Sequence, residues 1–233
     1  MKYFKTVIRV LFILAVPAFL FSLSIGIAVN SKWLYEAGFK KYDIARVTGI
    51  SKSDLNKAAA GIINYFNNSD ENINVQIVRN GQPYLLFSEN ESEIIHMRDV
   101  KDLFRLDYKV LLGSFLFIAG YVGIMLWQKK RKDLASELIG GGGLTLVLMA
   151  LLGISVAAGF FDPIFIAFHR IAFRNDFWLL DPNIDVLIMM FPDGFWQDAL
   201  SFIALLTGAG AIILGAVGGL YFWKKRARKV TSG

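Results

Sequence analysis

Two histidines are the side chains best suited to chemistry in this sequence. His96 lies in EIIHMRDVKDL, residues 93–103, and His169 lies in FHRIAFRNDFW, residues 168–178. Imidazole titrates near neutral pH, so a pair of imidazoles can act as general base and general acid in acyl transfer. Such a pair can also ligate a haem between helices, or bind a metal together with a carboxylate. The residues by themselves leave these three chemistries open.

Other reactive motifs are weak or absent. Glu93-x-x-His96 resembles one half of a carboxylate-bridged di-metal site, but that site needs a second copy and no Glu lies near His169. The chain has no cysteine, which excludes disulfides, thiol nucleophiles and thiolate metal sites. A G-x-S-x-G nucleophile elbow is absent as well. The glycine run at 140–143 lacks the Lys-Ser/Thr of a phosphate loop, and it predicts close packing of membrane helices.

The composition indicates that these histidines belong to a membrane protein. Of the 233 residues, 55% are hydrophobic, and the mean hydropathy is +0.48, well above that of a soluble domain. Uncharged runs at 10–29, 110–127, 138–161 and 199–223 are long enough to cross a hydrocarbon core, which needs about 20 helical residues. The first run could be a secretory signal, but its length and the lack of a small-x-small cleavage site favour an uncleaved anchor.

We therefore predict an all-α integral membrane protein with four transmembrane helices and a small extracellular α+β cap. The predicted segments are a first transmembrane helix (1–29), the cap (30–109), a second transmembrane helix (110–128), a cytoplasmic loop (129–137), a third transmembrane helix (138–161), an aromatic-rich extracellular loop (162–198), a fourth transmembrane helix (199–223) and a basic cytoplasmic tail (224–233).

The distribution of positive charge predicts the orientation. Lys and Arg cluster at 2–9, 129–132 and 224–229, and positive residues in short segments mark the cytoplasmic side. Both termini are therefore expected in the cytoplasm, with the cap and the aromatic-rich loop outside. The formal net charge of +6 comes from the cytoplasmic edge, where anionic membrane lipids are the expected partners. Nucleic acid is not expected as a partner.

The cap contains recognisable local signals. Ser53 is the predicted N-cap of a helix with apolar residues at helical spacing through residue 66. Asn80-Gly81 interrupts an alternating stretch and predicts a β-hairpin. The segment around His96 predicts a second helix that runs into the membrane. We expect the apolar faces of this cap to rest on the helix bundle.

The second outer loop, 162–198, is unusually aromatic. Asp162 and Pro163 predict the N-cap and first position of a short interfacial helix that carries His169. An interfacial aromatic belt accounts for many of the rings. It does not account for Arg170, Arg174 and Asn175, which are interleaved with the rings at the water edge.

The chain resembles a family of bacterial enzymes, the lipoprotein intramolecular transacylases (Lit). The resemblance rests on YEAGFKKYDIARVTGIS at 35–51, EIIHMRDVKDL, and FHRIAFRNDFWLLDPNIDVLIMMFPDGFW at 168–196. The order of one anchor, an outer cap and three further membrane runs fits as well. The resemblance implies a multi-pass protein of the bacterial cell membrane, with His96 and His169 as catalytic residues between cap and membrane at the extracellular face.

The family's reaction implies the substrate and the roles. The sn-2 acyl chain of a diacylglyceryl group moves to the α-amine of the N-terminal cysteine, which converts a diacylated lipoprotein into the lyso form. One histidine takes a proton from the amine and the other protonates the glycerol oxygen, with His169 favoured as the base. No cofactor and no metal are needed. Attack closes a medium-sized ring, so an enzyme gains mainly by holding the substrate folded in a water-poor pocket.

Further site candidates surround the two histidines. Arg170, Arg174 and Asn175 are candidates for oxyanion stabilisation or substrate binding. Asp99, one turn after His96, either orients that ring or belongs to a solvated helix face, and Tyr35 and Trp178 are candidates for the pocket wall. A bis-histidine haem protein and a membrane-anchored sensor or binding protein remain the alternatives. The sequence does not predict an oligomeric state.

Overall fold

A computed structural model describes residues 2–230, with side chains from residue 3 to residue 227. Its helices are α1 Lys2–Asn30, α2 Lys32–Lys41, α3 Ile44–Thr48, α4 Lys52–Asn67, α5 Glu91–Trp127, α6 Arg131–Ala157, α7 Phe161–Ala172, α8 Val186–Met190 and α9 Asp193–Val230. The strands β1 Gln76–Arg79 and β2 Gln82–Leu85 pair in an antiparallel hairpin.

Four helices, α1, α5, α6 and α9, are long and apolar enough to cross a membrane, with mean hydropathies of 2.0 to 2.5 over their most apolar windows. Together with the small two-stranded sheet, they confirm the predicted fold class. Each of these helices is longer than its apolar run, because the charged residues beside a run, such as Lys and Arg, are good helix formers. The uncharged stretch of α5, residues 110–127, remains the predicted membrane-spanning part of this helix, since a hydrocarbon core takes about 20 residues.

Within the described residues, 2–25, 107–158 and 203–230 form one compact unit, unit 1. Its apolar core contains Phe12, Val16, Leu20, Tyr121, Met125, Leu134 and Ala211. A Cβ on Gly142 would lie 2.7 Å from the Ala211 carbonyl oxygen, and a Cβ on Gly141 would lie 2.8 Å from Val16. The predicted close helix packing at the glycine run is therefore confirmed at these two positions.

Buried polar groups in unit 1 meet partners. Arg9 Nε lies 2.7 Å from Glu137 Oε1 in an ion pair, and the Tyr121 hydroxyl donates to Glu137 Oε2 at 2.8 Å. Thr207 Oγ1 donates to Ser24 Oγ at 2.9 Å. These contacts join α1 to α6 and α9, and α5 to α6. An unpaired polar group in hydrocarbon would cost several kcal/mol.

Residues 26–106 and 159–202 form a second compact unit, unit 2, with a core of its own. Buried residues of α2, α3, α4 and the hairpin pack there with Val186, Met190 and Phe195 from the second outer segment. The expectation that the apolar faces of the cap rest on the helix bundle is therefore wrong for this core. The two outer segments bury each other's apolar side chains, which hydropathy along one segment does not reveal.

Local signals in unit 2 are largely confirmed. The hairpin turns at Asn80 and Gly81, with φ of 51° and 78°, as a tight two-residue turn requires. The N-cap of α4 is Ser51, whose hydroxyl accepts from the Asp54 N–H, so the prediction of Ser53 is wrong by two residues. The prediction for Asp162 is also wrong, because α7 begins at Phe161 and Asp162 lies in its first turn. At α4 the sequence offers several polar residues and the fold uses Ser51, whereas the N-cap of α7 is Phe160, whose side chain makes no capping hydrogen bond.

Candidate active site

His169 lies on the buried face of α7. Its ring is held by one hydrogen bond, 2.7 Å between Nδ1 and the carbonyl oxygen of Phe165, one turn earlier. Because a carbonyl oxygen can only accept, Nδ1 carries the hydrogen in this contact. The neutral ring therefore presents an unprotonated Nε2, which is the atom that can accept a proton from a substrate.

His96 lies on α5, and its ring lies near that of His169 in a tilted arrangement. The two ring centroids are 6.1 Å apart and the ring planes differ by 31°. Phe173 packs against both rings, at 5.0 Å from His96 and 5.5 Å from His169. The fold thus brings together the two histidines that the sequence singled out, from segments far apart in the chain.

Aromatic side chains wall this pair. The ring of Phe165 lies 4.2 Å from that of His169, Trp178 lies at 4.9 Å and Phe168 at 5.3 Å. Both histidines are more than nine-tenths buried. The arrangement keeps bulk water away from the imidazoles, and the predicted role of Trp178 in the pocket wall is consistent with its contact with His169.

Burial keeps both imidazoles neutral. His96 precedes the membrane-spanning part of α5 by roughly four turns, and burial lowers its pKa to about 4, with repulsion from a protonated His169 adding to the shift. Burial also lowers the pKa of His169, while the Phe165 carbonyl opposes that shift. Since a positive charge on one ring disfavours a second one nearby, protonation of either imidazole opposes protonation of the other. His96 Nδ1 is buried and has no hydrogen-bond partner among the described residues.

An open pocket of about 410 Å³ shares Phe173 and Trp178 with the wall of this pair, and neither histidine lines it. It is lined by Arg170, Ile171, Phe173, Arg174, Asn175, Asp176 and Trp178. The side chains of Arg170 and Arg174 are exposed, and neither takes part in an ion pair within the described part of the chain. Two guanidinium groups are thus available next to the neutral histidines.

Asp99 does not orient His96. Its carboxylate accepts a hydrogen bond of 2.9 Å from Asn175 Nδ2, in the loop that follows α7. Of the two alternatives that the sequence left open for Asp99, the structure shows neither a hydrogen bond to the His96 ring nor a carboxylate exposed to solvent alone, but a bond to Asn175. Asp99 lies one turn from His96 on the same helix, but its partner is set by the loop that packs against it. Helical spacing alone does not indicate that partner.

Tyr35 is part of the core of unit 2. Its hydroxyl donates to the Val29 carbonyl at 3.0 Å, and its ring packs against Phe191 and Phe195 at 6.0 and 6.1 Å. Trp196 continues this row of rings to Phe165. The structure therefore places Tyr35 at the far end of an aromatic row that reaches His169 through several other side chains.

Two residues of the site were missed by the sequence reasoning. Phe165 and Phe173 lie four residues before and four residues after His169, and both contact its ring. Residues four apart on a helix share a face, so the spacing F-x-x-x-H-x-x-x-F was the available signal. It was obscured by the many other aromatic residues in this segment.

The contacts around the two histidines also bear on the two other chemistries considered for them, metal binding and haem ligation. Glu93 Oε1 accepts from the N–H of Leu187 at 2.6 Å, so this carboxylate is directed at the start of α8. Burial raises the pKa of Glu93 to about 7. No group of three or more His, Asp or Glu with metal-binding geometry occurs in the part of the chain that the structure describes. A haem between the imidazoles would have to displace Phe173, which packs against both.

Known proteins match this architecture. In meso structures of the membrane integral lipoprotein intramolecular transacylase Lit from Bacillus cereus are similar over almost the whole chain. One has a TM-score of 0.83 at 23% identity, covering 97% of this chain and 100% of that chain. A variant with a histidine-to-arginine mutation has a TM-score of 0.78 at 24% identity, covering 97% and 96%. A histidine-to-alanine variant has 0.79 at 23%, covering 97% of each chain.

These identities are low, so the structural likeness by itself shows the fold. No curated protein sequence matches the chain significantly. The sequence model of the family described as lipoprotein intramolecular transacylase Lit matches residues 10–196, which is well over half of the chain. The protein therefore belongs to the lipoprotein intramolecular transacylase (Lit) family.

Proposed function

We propose that this member of the family converts diacylated lipoproteins to the lyso form, with His96 and His169 as its acid–base pair. The α-amine of the N-terminal cysteine attacks the carbonyl carbon of the sn-2 ester. A new N–C bond forms, the C–O bond to glycerol breaks, and one proton moves from the nitrogen to the glycerol oxygen. The reaction needs no water, no net proton and no second substrate.

One observation carries this proposal: two buried, neutral imidazoles lie 6.1 Å apart between ring centroids inside an aromatic wall. Neutral imidazole is the form that accepts a proton from an amine. The wall limits access of water, which would hydrolyse the ester instead of letting the amine attack.

His169 is proposed as the base. Its Nδ1–H is engaged with the Phe165 carbonyl, which leaves the lone pair of Nε2 for the proton of the attacking amine. The same carbonyl stabilises the imidazolium that forms, as the partner of a catalytic imidazole does in other enzymes.

His96 is proposed to deliver a proton to the glycerol oxygen. Its pKa of about 4 makes the protonated ring a strong acid, suited to a leaving alkoxide that is a strong base. One proton then suffices: the amine gives it to His169, His169 passes it to His96, and His96 gives it to the glycerol oxygen, so that both rings are neutral again at the end of the reaction.

Arg170 and Arg174 are proposed to stabilise the oxyanion of the tetrahedral intermediate. Both line the cavity beside His169, and cationic donors aimed at a developing oxyanion in a water-poor site are among the strongest contributions to acyl transfer. Trp178 and Phe173 then hold the apolar part of the substrate near the imidazoles, which limits the conformations of the flexible diacylglyceryl arm.

The site is proposed to lie at the extracellular face of a bacterial cell membrane. The positive charges at 2–9, 129–132 and 224–229 support cytoplasmic termini and a cytoplasmic loop between α5 and α6. The outward face of α7 supports a location at the lipid surface: Ile171 is 85% exposed, Phe168 47% and Ile166 40%. Only residues 158–160 separate α7 from the membrane helix α6.

Orientation is tested with single cysteines, since the chain has none of its own. Cysteines at Ser69 and Ser88 should react with a membrane-impermeant thiol reagent on intact cells, and a cysteine at Ser136 should react only after the cells are opened. Reaction at Ser136 alone on intact cells would reverse the proposed orientation.

The reaction is tested by mass spectrometry of a reporter lipoprotein co-expressed with and without this protein. The N-acylated lyso form should appear only with the protein, and its mass should equal that of the diacylated form because the acyl chain moves within one molecule. Loss of an acyl chain, with a lower mass, would indicate hydrolysis and contradict the transacylase assignment.

A further inference from the structure

We propose that Asp99 and Asn175 are positioning residues that set the separation of the two catalytic imidazoles. This inference rests on the proposed function, because it assigns these residues to the same reaction. Neither residue exchanges a proton with the substrate. They act through the loop that follows α7, which carries the aromatic side chains packed on both histidines.

The carboxamide of Asn175 is held at both ends. Its Oδ1 accepts the backbone N–H of Phe177 at 3.2 Å, and its Nδ2 donates to Asp99 Oδ2 at 2.9 Å. Since a backbone N–H can only donate, Oδ1 must face Phe177 and the amino group must face Asp99. These two hydrogen bonds therefore determine the orientation of the Asn175 amide. They place its amino group, a donor, opposite the Asp99 carboxylate, an acceptor.

This contact connects the two halves of the site. Asp99 lies on α5 one turn after His96, and Asn175 lies in the loop that begins where α7 ends. The same loop contributes Phe173, which touches both imidazoles, and Trp178, which packs on His169. A single charge-assisted hydrogen bond thus ties the helix that carries one histidine to the loop that walls the other.

The geometry distinguishes this role from oxyanion binding. Asn175 lines the cavity, but one of its two N–H groups is already donated to Asp99 and its oxygen is occupied by Phe177. Arg170 and Arg174, in contrast, have no ion-pair partner among the residues described. Asn175 therefore orders the loop, while the arginines remain available to the substrate.

A charge swap tests the positioning role. Asn175→Asp puts two carboxylates opposite each other, so the loop should shift and conversion of the reporter lipoprotein should fall by about 10²-fold, the cost of misplacing a reacting group by about 1 Å. The double variant Asp99→Asn with Asn175→Asp restores a donor opposite a carboxylate and should recover most of the activity. Asp99→Asn alone keeps an acceptor for Asn175 and should lose less than Asn175→Asp.

The control is Asn64→Asp, the same chemical change at an exposed position of α4, which should leave conversion unchanged. Melting temperatures in detergent verify folding, and if Asn175→Asp does not accumulate, the double variant and Asp99→Asn carry the test. If Asn175 instead donated a hydrogen bond to the oxyanion, the double variant would not recover, because an Asp at 175 cannot donate. A folded double variant without recovery would therefore overturn the inference. Full activity of Asn175→Asp would overturn it too. Failure of the parent protein to form lyso product would instead refute the proposed function.

Discussion

Two helices of unit 2, α4 and α7, bury one face each but differ in the face they leave exposed. α4 exposes Lys52, Asn56, Lys57 and Asn64, as a water-facing helix does. α7 exposes Pro163, Ile166, Ala167, Phe168 and Ile171, with Asp162 and Arg170 as its exposed charges. An exposed face that apolar is typical of a helix in lipid. The contrast indicates which surface of the same unit meets water and which meets the membrane.

The inward faces differ as well. α4 buries Leu55, Ala59 and Ile62 in an apolar core, whereas the buried residues of α7 are Phe161 and His169. A buried imidazole contributes little to packing and costs free energy through desolvation. In the proposed mechanism, a helix with one face suited to lipid and His169 on the other brings a lipid ester to the imidazole.

Replacement of either buried histidine should have the largest effect on activity. His169→Ala and His96→Ala should each lower conversion of the reporter by about 10²- to 10⁴-fold, the usual range for a lost acid or base. The double variant should be little worse, because both residues serve one proton transfer. Mass spectrometry of the reporter measures this. Substantial activity in either folded single variant would contradict the pair mechanism, and loss of the parent's activity in EDTA would indicate a metal site.

Replacement of the arginines beside His169 should have the next largest effect. Arg170→Met with Arg174→Met should lower kcat by about 10²-fold with little change in KM, because oxyanion stabilisation acts in the transition state. Lys57→Met on α4 is the matched control and should be neutral. A rise in KM with unchanged kcat would instead assign the arginines to substrate binding.

Introduction of charge on the two outward faces should give a smaller, position-dependent effect. Ile171→Asp should lower conversion in lipid vesicles by about 10-fold, because a carboxylate at the lipid surface opposes the docking of α7. Ala60→Asp, at an exposed position of α4, should have no effect. A nitroxide on a single cysteine at Ile171 should be reached by oxygen and protected from a water-soluble nickel complex, with the reverse at Asn64. Equal nickel access at both sites would remove the distinction between the two faces.

Titration of the imidazoles should reveal the effect of burial in the protein without any substitution. The chain contains only two histidines, so selectively labelled protein gives two imidazole signals by NMR. His96 should titrate near pH 4, and His169 should titrate below its ordinary value of 6.5. Since the neutral ring is the base, protonation of His169 should inactivate the enzyme only as the pH falls through that lowered pKa. A midpoint at or above 6.5 for His169 would contradict its burial.

Predictions from the sequence agree best with the structure where local structure depends on neighbouring residues. The hairpin at Asn80-Gly81 follows from positive φ angles that these residues tolerate, and the membrane spans follow from uninterrupted apolar runs. The first residue of a helix is harder to predict from the sequence. Ser51 and Ser53 both suit the N-cap of α4, and the fold uses Ser51. Local chemistry permits both, so packing of the helix against the core decides between them.

By itself, the sequence determined that the protein is a four-span membrane protein, that two histidines are its best reactive groups, and that aromatic and basic residues follow His169. Those properties depend on residue type and on spacing along the chain. Only the tertiary structure decided that Asp99 meets Asn175 rather than His96, that Glu93 meets the Leu187 N–H, and that Phe173 lies against both imidazoles. Apart from the contact of Phe173 with His169, four residues away, these contacts join residues far apart in sequence, and helical spacing fixes which face a side chain occupies but not what packs against that face.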